Sequence, residues 1–167
     1  MGIRPLLRLL VLAALAALVV LPGAAAERGP RATDGTLAIR DGNGVFQLAV
    51  RGSLVGRVED AERLVVVDPN PFDRRRPVVR GWEDRRRLGP RKVVFEGDDL
   101  RLRSARGFFR FTIVGTGVNL SMVGVGSVTM KGDESFADTG VYSLNGAEFL
   151  AVPYERVTIQ VGAPGGE

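Results

Sequence analysis

Histidine and cysteine are both missing from this chain of 167 residues. Without histidine, the sequence lacks the usual general base and the usual metal ligand, and the familiar Ser-His-Asp and Cys-His nucleophile arrangements are excluded. Without cysteine, thiolate zinc sites, thiol catalysis, disulfide bonds and thiol-linked lipids are excluded as well. We therefore expect packing to hold the fold together, and we predict no metal site, no cofactor and no catalytic residue.

Lysine is scarce, because Lys92 and Lys131 are the only lysines among 23 basic residues. This excess of arginine, with abundant Ala, Gly and Val, is typical of GC-rich codon usage, so an individual arginine does not indicate an anion site. The formal net charge of +4 includes Arg4 and Arg8 at the start of the chain, and the rest of the chain carries 21 basic and 19 acidic residues. Such a balance does not favour a nucleic-acid partner.

The start of the chain has the layout of a secretory signal peptide. Arg4 and Arg8 precede 13 apolar residues, Leu9–Leu21, and Ala24–Ala26 offer small residues for cleavage. A retained membrane anchor is the alternative, but a spanning helix needs about 20 apolar residues. We predict that residues 1–26 are cleaved, that the mature chain has no transmembrane segment, and that it is secreted or extracytoplasmic.

Two segments of the chain resemble each other. Residues 37–55 read LAIRDGNGVFQLAVRGSLV, and residues 100–118 read LRLRSARGFFRFTIVGTGV, with six identities in 19 ungapped positions. Chance would give about one identity over such a length. Apolar residues recur at alternate positions of both segments, which predicts strands with one face buried in a core. The predicted core residues are Phe46, Leu48, Val50, Phe109, Phe111 and Ile113.

Glycines recur at matched positions of the two segments. DGNG (41–44) and SARG (104–107) each end in glycine, which predicts hairpin loops that need one residue at positive φ. Gly52 and Gly115 predict matched bends or bulges. DGNG is also compatible with the start of a calcium loop, but SARG keeps the glycine and lacks both oxygen ligands, so we favour a turn over a cation site.

Weaker matches extend the likeness, with residues 64–67 against 127–130 and residues 92–95 against 156–159. After the signal peptide no segment shows a helical period over ten residues. We therefore predict an all-β fold, an antiparallel sandwich or closed barrel of about ten short strands that is internally duplicated with pseudo-twofold symmetry. A β-solenoid is the alternative, although solenoids repeat about every 20 to 30 residues.

The predicted organisation follows from this repeat. A signal peptide (1–26) and an N-terminal tail (27–35) precede a single β-domain (36–162) made of two repeats (36–98 and 99–162), and a short C-terminal tail follows (163–167).

The two repeats differ most in the inserts before their last strands. The first insert (69–91) has a net charge of +5, and the second insert (132–155) has a net charge of −5. Such inserts are often only solvated loops. Alternatively they attract each other, within one molecule or head to tail between molecules, which would make the protein self-associate.

A third interpretation is that the first insert binds an external polyanion, such as an anionic cell-wall polymer, an acidic polysaccharide or a phospholipid surface. Trp82, the single tryptophan, either fixes this insert to the domain or provides a stacking surface. The candidate residues for polyanion binding or association are Arg74, Arg75, Arg76, Arg80, Trp82, Arg85, Arg86 and Arg87.

Carboxylates are the remaining candidates for catalysis. Glu96, Asp98 and Asp99 lie close in sequence, but Gly97 and Asp98 are typical turn residues, so we interpret this segment as a turn. We predict a non-enzymatic binding or structural module at or beyond the cell surface. The alternative is a weak carbohydrate-active hydrolase that uses carboxylates only.

Overall fold

The computed structural model describes residues 34–72 and 75–162, so the predicted signal peptide, Arg74 and the C-terminal tail lie outside the described residues. The described part forms an antiparallel sheet of eight strands and contains no helix, which confirms the predicted all-β class. In chain order the strands are β1 (Gly35–Val67), β2 (Val78–Arg80), β3 (Asp84–Arg87), β4 (Lys92–Ser104), β5 (Phe108–Gly132), β6 (Val141–Leu144), β7 (Leu150–Ala151) and β8 (Val157–Val161). Within these ranges there is no helix that could cross a membrane.

The described residues form eight strands rather than about ten, because β1 has 33 residues and β5 has 25. The pairing follows an open path, β2-β4-β1-β5-β8, with β3 on β4, β6 on β1 and β7 on β6. Residues 44–51 of β1 pair with residues 108–115 of β5 on one side and with residues 125–132 on the other. The two long strands therefore wind past each other.

The predicted hairpins at DGNG and SARG are wrong. Ile39 pairs with Leu120 and Gly44 with Gly115, so β1 continues past DGNG in one direction with a local bulge. SARG links β4 to β5 without a reversal, since both strands run antiparallel to β1. Gly44 and Gly107 do have positive φ values, 143° and 156°, so the need for glycine was predicted even though the loop type was not.

The predicted turn at Glu96–Asp99 is also wrong, because these residues lie inside β4. The ladder with β1 shifts register between Ala61 and Leu64, which makes this a bulge within a continuing strand. Bulges bend a strand while keeping its direction, so glycine and aspartate occur here without ending it.

The core consists of the alternate residues that the period-two pattern predicts. Phe46, Leu48, Val50, Phe109, Phe111 and Ile113 are all at most 2% exposed. Phe46 pairs with Ile113 on one side and with Met130 on the other, so it joins three segments of the sheet. Burying a side chain of this size stabilises a fold by about 1.5–3 kcal/mol, and the buried cluster therefore holds β1 and β5 together.

Candidate functional site

The candidate arginines that the structure describes are spread along two strands and a loop. Arg80 is the last residue of β2, which pairs with residues 101–103 of β4. Arg85, Arg86 and Arg87 form most of β3, which pairs with residues 93–96 of the same strand. Arg80 is therefore separated along β4 from the three arginines of β3.

Two of these arginines contact neighbours that explain their positions. The Arg85 guanidinium lies 5.8 Å from the centroid of the Phe95 ring. Arg86 forms ion pairs with Asp84, at 3.0 Å, and with Glu96. Trp82 lies between β2 and β3 and remains 44% exposed. The insert is thus attached to β4 through its strands, while residues 80–92 stay exposed throughout.

Arg76 fixes the start of the insert. One of its Nη atoms donates to Asp68 Oδ2 at 2.7 Å, and the other donates to the Pro71 carbonyl oxygen. The Asp68 side chain is only 11% exposed, and its other oxygen accepts a hydrogen bond from the Asn70 backbone. This contact is local to the chain segment where β1 ends, so we assign Arg76 a structural role.

A row of arginines crosses three adjacent strands. Arg57 of β1 pairs with Arg101 of β4, and Arg101 pairs with Arg80 of β2. Directly paired residues of neighbouring strands share one face, and the strands lie about 4.8 Å apart. Arg103, two residues along β4, is on the same face, between Val55 and Val78. We call Arg57, Arg80, Arg101 and Arg103 the basic face; all four are exposed.

Asp99 lies within the basic face. Arg57 Nε donates to Asp99 Oδ1 at 2.5 Å, and an Arg101 Nη atom donates to Asp99 Oδ2 at 3.0 Å. The hydrogen bond from Arg57, followed by the one from Arg101, lowers the pKa of Asp99, and the same contact with Asp99 raises the pKa of Arg57. One carboxylate is therefore shared between two guanidinium groups, while Arg80 and Arg103 add two further positive charges.

The second insert folds against β1 in a different way. The Asn43 amide donates from Nδ2 to the Asp138 carbonyl oxygen at 2.8 Å and accepts from the Gly117 backbone at 3.0 Å. Thr139, 4% exposed, donates from Oγ1 to the Val152 carbonyl oxygen at 2.6 Å. The insert is thus a packed strap on β1.

An acidic cleft lies where this strap meets β1 and β5. Its volume is about 650 Å³, and its lining includes Asp60, Glu62, Asp133 and Glu134, with Lys131 as a basic residue. Lys131 lies 3.6 Å from Glu134. Two hydrogen bonds from Ser135, first from its backbone and then from its hydroxyl, lower the pKa of Asp133. The cleft and the basic face have no lining residue in common.

The carboxylates suggested for catalysis do not line this cleft, although Asp98 pairs with Asp60 of its lining. Glu96 is bound to Arg86, and Asp99 is bound to Arg57 and Arg101. Asp41, suggested as a calcium ligand, accepts from Asn119 at 3.1 Å. Within residues 34–72 and 75–162, no group of three or more acidic residues is arranged to hold a metal ion.

Sequence reasoning missed Arg57, Arg101 and Arg103. Arg101 and Arg103 alternate with the buried Leu100 and Leu102, which was a sign that they point away from the core. The neighbouring position of Arg57 depends on the register between β1 and β4, which no local pattern contains. The sequence therefore indicated that Arg101 and Arg103 are exposed, but it did not indicate that they lie close to Arg57.

The chain matches no protein-family model, and it has no match among curated proteins or solved structures. Its function must therefore be inferred from the chemistry of its own surface.

Proposed function

We propose that this protein is an exported, non-enzymatic β-domain that binds an anionic polymer at or beyond the cell surface through the basic face. The observation that carries the proposal is the pairing of Arg57, Arg101 and Arg80 on three adjacent strands. An anionic cell-wall polymer or an acidic polysaccharide fits this surface, because its repeated charges can meet several guanidinium groups at once.

The placement of these arginines, rather than their number, supports the proposal. Codon bias explains an excess of arginine anywhere on the surface. Like charges directly opposite each other on neighbouring strands are destabilising, however, and Asp99 is shared by only two of the four arginines. A row of this kind is expected where an external anion binds.

The surrounding surface also favours a long ligand. Arg103 pairs with Val55 on one side and Val78 on the other, and these valines are 55% and 49% exposed. A sheet face with charges and small apolar side chains is suited to a chain that lies along it. Small-molecule sites are usually concave instead.

The proposed architecture is an internally duplicated sandwich or closed barrel. Two strand pairings support the duplication. Arg103 pairs with Val78, and Arg40 pairs with Val141; Arg103 lies 63 positions after Arg40, and Val141 lies 63 positions after Val78. Ile39 with Tyr142 and Leu102 with Val79 are related by the same shift. Experimental coordinates in which repeat 36–98 does not superimpose on repeat 99–162 would overturn this proposal.

Binding is tested by removing two charges from the basic face. The double variant Arg57→Gln/Arg101→Gln is compared with Arg63→Gln/Arg110→Gln, which removes two exposed arginines from other parts of β1 and β5. Retention of each protein on immobilised heparin and on immobilised polyphosphate is measured as the salt concentration needed for elution. We expect the first variant to elute at clearly lower salt than the second. Equal elution of the two would contradict a specific role for the basic face.

The same retention measurement tests whether the first insert, rather than the basic face, binds the polymer. A variant with Arg85, Arg86 and Arg87 changed to glutamine tests whether β3 contributes to retention. If this variant loses retention and the basic-face variant keeps it, the first insert is the binding surface. If its molar mass in low salt falls relative to the unchanged protein, the inserts mediate self-association instead.

The carbohydrate-active alternative has a separate test. The acidic cleft, with Asp60 and Glu62 on one side and Asp133 and Glu134 on the other, is where a two-carboxylate hydrolase would bind sugar. Turnover in a screen of glycans that is lost in Asp60→Asn or in Glu96→Gln/Asp98→Asn would refute the non-enzymatic proposal.

A further inference from the structure

We infer that the free protein contains an oxyanion subsite between Arg57 and Arg101, which its own Asp99 carboxylate fills until a phosphate, sulfate or carboxylate group of the ligand displaces it. The inference rests on the proposed function and identifies where in the basic face one charged group of the polymer binds.

The hydrogen bonds define the subsite. The two oxygens of Asp99 are divided between two guanidinium groups, with Arg57 Nε at 2.5 Å from Oδ1 and an Arg101 Nη atom at 3.0 Å from Oδ2. A ligand oxyanion requires the same arrangement of donors, because guanidinium groups bind carboxylate and phosphate oxygens in the same planar manner. The Asp99 carboxylate thus occupies the position of a ligand group.

The subsite is open to ligands. The side chains of Arg57, Arg101 and Asp99 are 53%, 67% and 44% exposed. Ion pairs at this exposure contribute little to stability, since water competes for both partners. An incoming anion that also contacts Arg80 or Arg103 can therefore replace the Asp99 carboxylate.

The backbone of Asp99 is held in place by contacts that do not involve its carboxylate. Asp99 has a φ of 54°, in the left-handed region that aspartate tolerates better than most residues. Gly81 lies so close that a Cβ on it would overlap the Asp99 carbonyl oxygen. On either side, Leu100 pairs with Val58 and Asp98 with Asp60. Displacement requires only a side-chain rotation, and the sheet need not move.

The local chemistry also shows what would change if the carboxylate were absent. Arg57 and Arg101 would then share no anion, and Arg57 would keep only Glu59, whose carboxylate lies 4.0 Å from it. The pair would then have unsatisfied donors in an arrangement that suits an oxyanion. Removing the negative charge of Asp99 should therefore strengthen anion binding at this position.

The test uses Asp99→Asn, since asparagine tolerates the same backbone conformation. Glu134→Gln is the matched control: it removes one negative charge from a residue in the acidic cleft with a 75% exposed side chain. Inorganic phosphate is titrated into each protein, and the NMR signal of the Arg57 Nε–H group reports binding. We expect Asp99→Asn to bind phosphate about two- to fivefold more tightly than the unchanged protein, the range that an exposed ion pair allows. Glu134→Gln should match the unchanged protein.

The outcomes separate this inference from the proposed function. Equal phosphate affinity in Asp99→Asn and Glu134→Gln would overturn the subsite, even if the basic-face arginines are needed for retention on heparin. Tighter phosphate binding in Asp99→Asn without any polymer retention would support the subsite and overturn the proposed function. Asp99→Gly, which also tolerates this φ, repeats the test should Asp99→Asn melt at a lower temperature.

Discussion

The two inserts occupy comparable places in the chain but use them differently. The first insert contributes β2 to β4, and the second contributes β6 to β1, in registers that match after the shift of 63 residues. Residues 80–92 of the first insert are exposed throughout, whereas Thr139, Gly140, Ser143 and Val152 of the second insert are buried. The acidic insert is therefore packed into the fold, while residues 80–92 of the basic insert remain on the surface.

The comparison separates the requirements of the core from those of the surface. Segments 37–55 and 100–118 keep apolar side chains at the positions that face inward, while their outward positions change from Ala38 to Arg101 and from Gln47 to Arg110. A sheet tolerates such changes, because successive side chains point to opposite sides. Arg101 of the basic face lies at one of these changed positions, whereas Arg103 matches Arg40.

The largest predicted effect concerns the core that the two similar segments share. Phe46 and Phe109 are 0% and 2% exposed, so Phe46→Ala and Phe109→Ala should each lower the free energy of unfolding by about 3–5 kcal/mol. Phe72→Ala, at an 88% exposed position, should change it by less than about 0.5 kcal/mol. Urea unfolding gives all three values. A loss in either buried variant as small as that of Phe72→Ala would mean that segments 37–55 and 100–118 do not share one core.

The fold class and the core could be predicted because they depend on local patterns. The lengths of β1 and β5 could not, because Gly44, Gly52 and Gly115 resemble strand ends in sequence. In the structure, a Cβ on Gly52 would overlap the Val123 carbonyl oxygen, and one on Gly115 would overlap that of Asp60. These glycines permit close approach of neighbouring strands, and nothing in the local sequence distinguishes this role from a turn.

The candidate site was less predictable than the fold. The site combines arginines from three separate strands. Only the registers of the ladders bring Arg57, Arg80 and Arg101 together. The run of arginines at 85–87 was predicted to bind a polyanion or to mediate association, yet Arg86 is bound to Asp84 and Glu96. Charge density along a chain is thus a poor guide to charge density on a sheet.

A second prediction concerns how tightly each insert is packed. Gly140 and Gly89 have nearly the same φ, 83° and 85°, but a Cβ on Gly140 would overlap the Asp41 carbonyl oxygen, and a Cβ on Gly89 would meet nothing within 4 Å. Gly89→Ala should lower the free energy of unfolding by about 1 kcal/mol, through backbone strain alone. Gly140→Ala should lower it by about 3 kcal/mol, because steric overlap is added to the strain. Equal losses in chemical denaturation would show that the second insert is not a packed strap.

A third prediction concerns the anchor of each insert. Arg76 and Thr139 are 63 positions apart. Arg76 donates to Asp68 and to the Pro71 carbonyl oxygen, and Thr139 donates to the Val152 carbonyl oxygen. Arg76→Met and Thr139→Val should each reduce stability by about 1 kcal/mol. Only the Arg76 effect should shrink in high salt, since that contact is ionic.

The control for the third prediction is Arg87→Met, which changes an exposed arginine of β3. It should leave the unfolding midpoint nearly unchanged at every salt concentration. A Thr139→Val effect that depends on salt as strongly as that of Arg76→Met would contradict the assignment of the two anchors.

The smallest predicted effect compares two carboxylates with lowered pKa values. Asp99 is stabilised as an anion by Arg57 and then Arg101, whereas Asp133 is stabilised by the backbone and then the hydroxyl of Ser135. Because both pKa values are lower in the folded state, each contact stabilises the protein above the unfolded pKa, and this stability is lost as the pH falls through the folded pKa. Carboxyl NMR titrations should place both midpoints below the ordinary aspartate range. High salt should raise the Asp99 midpoint more than that of Asp133, because guanidinium charge is screened and a backbone hydrogen bond is not.

Two variants test whether these contacts are independent. Arg57→Gln should raise only the Asp99 midpoint, and Ser135→Ala should raise only the Asp133 midpoint. A shift of both midpoints in either variant would mean that the basic face and the acidic insert are electrostatically coupled.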